Sequence, residues 1–118
     1  MPYVDGFVIA VSKDRLDDYV AFSRACGEIW KEYGALTYVE CVADDVPYGE
    51  LTSFPRAVQA KEDEVVVFSW ITYASREARD ACSGKVMQDP RLKALTTDGA
   101  PFDGKRVIYG GFKTILEL

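Results

Sequence analysis

The sequence predicts an α+β fold, a four-stranded antiparallel sheet with two helices on one face. Three observations point there. Segments 3–11, 35–43, 64–74 and 105–116 are rich in β-branched and aromatic residues. Segments 13–33 and 75–89 carry helix signals. Their order, β-α-β followed by β-α-β, is a split βαβ arrangement, and 118 residues suit one domain spanning 1–118.

The first strand, YVDGFVIAV, contains one breaker, Gly6. Ser12 then stands as an N-cap, and Asp14 complements the positive end of the helix. In that helix Leu16, Tyr19, Val20, Phe22, Cys26, Ile29, Trp30 and Tyr33 fill an arc of about 180°, with Asp17, Arg24, Glu28, Lys31 and Glu32 opposite. An arc this broad predicts a helix that lines a pocket or touches more than one neighbour. Gly34 is a natural stop. After the second strand a loop runs from Asp44 to about Asp63, with a short helical turn expected after Ser53, where Pro55 suits a first turn. EVVVFSWITYA, 64–74, is the strongest strand. Ser75 caps the second long helix, and Asp89-Pro90 ends it. Residues 91–104 read as an irregular segment with a short helical piece, before the strand KRVIYGGFKTIL. Gly110-Gly111 within that strand suggests a bulge or the close approach of another group.

Composition narrows the function. At 48% hydrophobic and 28% charged the chain is globular in type. A net charge of −5, with Lys105-Arg106 as its only basic pair, disfavours nucleic acid. No apolar run is long enough to span a membrane, and the N-terminus lacks signal-peptide features. Three unpaired cysteines, Cys26, Cys41 and Cys82, suggest a reducing cytoplasm. The chain has neither His nor Asn. No Ser-His-Asp or Cys-His pair can form within it, and imidazole ligands for a metal or haem are missing, so neither metal nor cofactor is expected.

Both sheet faces are apolar. Val66, Phe68, Trp70 and Thr72 alternate with Val65, Val67, Ser69, Ile71 and Tyr73, and the first strand repeats the pattern. An antiparallel sheet with one wet face alternates apolar with polar residues. The surplus face requires a cover, and a second copy of the chain is the simplest one.

Three segments, YVDGFVIAV, GALTYVECVADDVPYGELTSFPRAV and PFDGKRVIYGGF, resemble the YbaA-like bacterial family of unknown function, as do VVVFSWITYASREARDA and KVMQDPRL. The resemblance covers nearly the whole chain. It implies a ferredoxin-like βαββαβ domain pairing back to back as a dimeric α/β barrel. It supplies no catalytic residues. The wider superfamily includes cofactor-free monooxygenases, haem enzymes, isomerases and ligand binders, so fold alone selects no reaction.

Several motifs carry chemistry on paper. Gly99 to Arg106 nearly matches a phosphate loop, but Arg106 replaces the hydroxyl, Pro101 removes an N–H, and a strand follows instead of a helix. Asp44, Asp45 and Glu50 match no calcium-loop spacing. Tyr48, Leu51 and Phe54 offer apolar anchors for a loop acting as a dimer arm or pocket rim. Asp5 and Glu40 interrupt apolar strands, which makes them the candidate catalytic bases. Pairing with Lys105, Arg106, Lys113 or Arg56 is the structural alternative. Trp30, Tyr38 and Trp70, with Tyr48 and Arg56, are candidate ligand contacts for a small apolar or aromatic molecule. Cys26 and Cys82 read as inert buried thiols.

The sequence therefore leads to a cytoplasmic homodimer that binds a small molecule. Its alternatives are a cofactor-free oxygenase-like or isomerase-like enzyme using a strand carboxylate, and a structural or regulatory dimer that recognises a protein through residues 44–63.

Overall fold

A computed structural model describes residues 1–118. Four strands, β1 (Tyr3–Ser12), β2 (Thr37–Val42), β3 (Glu64–Tyr73) and β4 (Ile108–Lys113), form one sheet in the order β2-β3-β1-β4. Every neighbouring pair is antiparallel. Helices α1 (Leu16–Glu32) and α3 (Arg76–Gln88) make the crossovers, and two short helices, α2 (Phe54–Ala57) and α4 (Pro90–Thr96), are added to them. This is the expected βαββαβ fold.

Local chemistry places most boundaries. The Ser75 hydroxyl accepts from the Ala78 amide, and Ser53 does the same for Arg56. Asp89 closes α3 and caps α4, accepting from the Arg91 amide at 2.8 Å, with Pro90 in the first turn. Gly34, at φ +115°, takes the left-handed position beyond the end of α1 that a side chain would resist.

Three expectations are corrected. Ser12 makes no capping hydrogen bond, because Lys13–Arg15 forms a 3-10 turn before α1 begins. The last strand starts at Ile108, because Gly104–Arg106 is a 3-10 turn capped by Asp103. It also contains no bulge: Gly110 pairs with Gly6 and Gly111 with Asp5 in unbroken register. The close approach at Gly111 is with Tyr3 and Arg79, which a Cβ there would strike.

Register decides which residues share a face. Tyr3, Asp5, Phe7, Ile9 and Val11 of β1 align with Tyr73, Ile71, Ser69, Val67 and Val65 of β3. They lie on the face covered by α1 and α3, where Ile9, Val11, Tyr19 and Val67 form one apolar cluster. Ile29, Ile71, Tyr73, Cys82 and Val86 belong to another.

On the opposite face lie Val4, Gly6, Val8 and Ala10 with Thr72, Trp70, Phe68 and Val66. One end of this face is covered by the chain itself. Val58, from the long loop, is 1% exposed and packs with Val8, Ala10 and Val66. Phe54 meets Phe68 edge to face, with ring centroids 5.8 Å apart. The loop is thus anchored by Val58 and Phe54. Leu51, expected as an anchor, is 93% exposed. The remainder of the face is a groove of about 610 Å³ lined by Val4, Val8, Phe68, Trp70, Ile108 and Phe112. The Gly6–Gly110 pair forms its floor, since neither residue has a side chain to fill it.

Candidate functional site

Between α1 and the covered face of the sheet lies a partly enclosed cavity of about 530 Å³. Its walls are largely apolar and aromatic, with Phe7, Phe22, Trp30 and Phe102 among them, and α4 and the segment after it complete the rim. That size and lining suit a small organic ligand. The breadth of the apolar arc on α1 has its explanation here: one part packs on the sheet, and another faces the cavity.

The polar groups of the cavity converge on Glu40. The Tyr19 hydroxyl donates to Glu40 Oε2 at 2.7 Å, and the Ser23 hydroxyl donates to Oε1 at 2.9 Å. Tyr38 and Ser23 share a further hydrogen bond of 2.9 Å, in which either hydroxyl can donate. Tyr19 and Ser23 lie one helical turn apart on α1, so both reach the same carboxylate on β2. Close approach of helix and strand depends on Gly27, because a Cβ there would come within 2.7 Å of the Tyr38 ring.

Burial raises the pKa of Glu40 above its ordinary 4.5, opposed by hydrogen bonds from Tyr19, Ser23 and Ser69. Burial, then the neighbouring carboxylate, pushes Cys26 up to about 11 and drives Tyr19 far above the usual tyrosine range. Tyr38 also rises, chiefly through burial. Neutral hydroxyls and an un-ionised thiol therefore surround a carboxyl group with no cation beside it. On the far side of this cluster, Ser23, Tyr38 and Glu40 also line an outer groove between α1 and β2, with Arg24 and Lys31 on its rim. The cluster is a partition between cavity and solvent.

The sequence candidates separate into distinct places. Trp30, Tyr38 and Glu40 meet at the cavity, with the Trp30 and Tyr38 ring centroids 6.3 Å apart. Trp70 borders the cavity too, but strand register turns its side chain to the opposite face of the sheet, beside Phe68 in the apolar groove. Tyr48 and Arg56 contact each other in the loop: the guanidinium lies 3.9 Å from the Tyr48 ring centroid and donates to the carbonyls of Tyr48 and Gly49. Those bonds staple the loop, away from the cavity. Asp44, Asp45 and Glu50 remain exposed on it.

Asp5 lies under α3. Tyr73 donates to it at 3.0 Å, and Arg79 Nε is 3.6 Å from its other oxygen. Arg79 also donates to the Tyr3 hydroxyl. Lys105, Arg106, Lys113 and Arg56, named from sequence as partners for the strand carboxylates, are engaged elsewhere or stand free of them. Arg106 instead makes a bidentate pair with Glu64 at 2.7 and 2.8 Å. Tyr19 and Ser23 were not singled out by sequence reasoning. The available signal was Ser23 itself, a polar residue inside the apolar arc of α1 and therefore in need of a buried partner.

Fold and cavity together define a ferredoxin-like α+β protein with a carboxylate-bearing pocket between helix and sheet. Residues 2–104 match the family described as a protein of unknown function, DUF1428, and the chain belongs to that family. It is 53% identical over 117 residues to the uncharacterized protein YbaA of Escherichia coli K12, covering 99% of each chain. Among solved structures, a NIPSNAP family protein from Agrobacterium tumefaciens superposes with a TM-score of 0.61 at 17% identity, covering 96% of this chain and 92% of that one. A dimeric ferredoxin-like protein from an uncultured marine organism gives 0.55 at 12% identity over the full length of both. At these identities the likeness is one of fold.

Proposed function

We propose that this protein is a homodimeric small-molecule-binding protein whose ligand occupies the cavity between α1 and the sheet. The observation that carries the proposal is Glu40 held by the Tyr19 and Ser23 hydroxyls, with Tyr38 bonded in turn to Ser23, at the wall of an otherwise apolar cavity. A half-buried carboxyl group with no cation beside it is costly, and its hydroxyl partners only partly relieve that cost, which argues for a role in recognition. The homodimer is supported by the exposed apolar groove on the opposite face, which a second sheet would cover. That arrangement leaves each cavity on the outer side of its own sheet.

Titrating neutral aromatic molecules such as 2-phenylethanol into the purified protein tests the cavity reading. The expected result is a rise in melting temperature together with a change in Trp30 fluorescence. The fluorescence change should survive Trp70→Phe and vanish in Trp30→Phe. No shift across a broad panel of aromatic molecules, neutral and charged, would overturn this reading.

A second reading, a cofactor-free enzyme with Glu40 as general base, is favoured by the raised pKa of that residue. It uses the same cavity and requires a substrate that loses a proton to the carboxylate.

A further inference from the structure

We propose that the ligand of this cavity is a small organic cation, an ammonium group on an aromatic or apolar body, with Glu40 as its counter-ion. This rests on the cavity being the binding site. The chain's other sheltered carboxylates each have a cation. Asp5 has Arg79, Glu64 has Arg106, and Asp89 has Arg91. Glu40 alone among them is held only by neutral hydroxyls, from Tyr19, Ser23 and, across the sheet, Ser69. A carboxylate with hydrogen bonds and no cation is an incomplete ion pair.

The surroundings supply the rest of a cation site. Trp30, Tyr38, Tyr19 and Phe22 line the cavity near Glu40, and aromatic faces attract ammonium groups. The net charge of −5 draws cations towards the protein. The hydroxyl chain also lets Glu40 exist in either form. When neutral, Glu40 can donate to Ser23, which then donates to Tyr38. When ionised, both Tyr19 and Ser23 donate to it. On the cavity side the groups facing Glu40 are Tyr19, Ser23 and Cys26 from α1, Tyr38 from its own strand and Ser69 from β3, none positively charged; on the outer side Arg24, Glu28 and Lys31 of α1 share the groove with Glu40, and neither cation forms an ion pair with it. A protonated Glu40 thus needs no counter-ion. Entry of an ammonium group ionises it, and the proton leaves through Ser23 and Tyr38 to the outer groove.

The test compares three probes with one aromatic body and different charge: 2-phenylethylammonium, 2-phenylethanol and phenylacetate. Calorimetric titration of the intact protein should find the ammonium bound about tenfold or more tightly than the alcohol, as a charged hydrogen bond in a sheltered site provides. Phenylacetate should be the weakest. Ammonium affinity should rise as pH climbs above 4.5 and Glu40 ionises. In Glu40→Gln the ammonium should lose its advantage while the alcohol still binds. Equal affinity for ammonium and alcohol in the unmodified protein would overturn the proposal and leave the cavity reading intact. Failure of all three probes to bind would overturn both.

Discussion

The Tyr19 hydroxyl donates to Glu40 across the gap between α1 and β2, in a 2.7 Å bond that holds the carboxyl at the cavity wall. That bond only partly offsets the desolvation of Glu40, whose pKa stays above its ordinary 4.5. The sign of the pH dependence follows. Between 4.5 and the raised value, the folded protein holds a proton that the unfolded chain has released. Stability at this site therefore falls as pH rises through that window. Glu40→Gln should remove this slope. Urea unfolding at several pH values should show the variant gaining on the unmodified protein as pH rises above 4.5. A constant difference across that range would count against the burial of Glu40.

Glu64 behaves in the opposite sense. Its hydrogen bonds from Arg106 lower its pKa from 4.5 to about 2, so its contribution is complete above 4.5 and is lost as pH falls towards 2. Arg106 also donates to the carbonyls of Val58 and Gln59, tying the end of the long loop to β3. Arg106→Met should cost stability at neutral pH and flatten the acid limb of the stability curve. Removing Arg106 leaves the Glu64 carboxylate without its bidentate partner. Acid titration of both proteins, followed by circular dichroism, compares the two limbs.

The strands, the two long helices and their order were legible because each depends on local pattern: β-branched runs, a broad apolar arc, and Ser or Asp at a cap. Asp5 and Glu40 were equally visible, as carboxylates inside apolar strands. What the pattern does not carry is which partner reaches them. Arg79 arrives at Asp5 because α3 packs across β1 and β3, a relation set by tertiary geometry and not by spacing along the chain. Trp70 is separated from Trp30 and Tyr38 by strand register, since a shift of one residue exchanges the two faces of a sheet. Arg56 and Tyr48 looked like ligand contacts because loops carry function, but here they spend their interactions on each other.

Gly27 lets α1 close against the Tyr38 ring, which lines the cavity. The Tyr38 ring packs where its Cβ would stand, and Tyr38 in turn holds Ser23. Gly27→Ala should improve the intrinsic helix preference of α1 by about 1 kcal/mol, yet destabilise the protein by displacing the ring. The same substitution should weaken binding of 2-phenylethanol. A thermal scan with and without ligand separates the two effects, and a stabilised variant with unchanged binding would refute the packing argument.

Val58 closes one end of the otherwise open sheet face, while Phe112, 63% exposed, stands at the other end of the groove. The two residues make different predictions. Val58→Ala removes a fully buried side chain from contact with Val8, Ala10 and Val66, and should cost about 2 kcal/mol in the single chain. Phe112→Glu places a charge on a surface that the isolated chain leaves open, so it should leave that chain's own packing nearly unchanged. If the groove is where two copies meet, the new carboxylate faces its own symmetry mate and the partner's apolar side chains, and association should weaken by at least about a hundredfold. Sedimentation at micromolar concentration should then find a dimer for the unmodified protein, a monomer for Phe112→Glu, and a dimer of reduced thermal stability for Val58→Ala. An unmodified chain that sediments as a monomer would leave the apolar groove without its proposed cover, and a Phe112→Glu variant that stays dimeric would place the partner surface elsewhere.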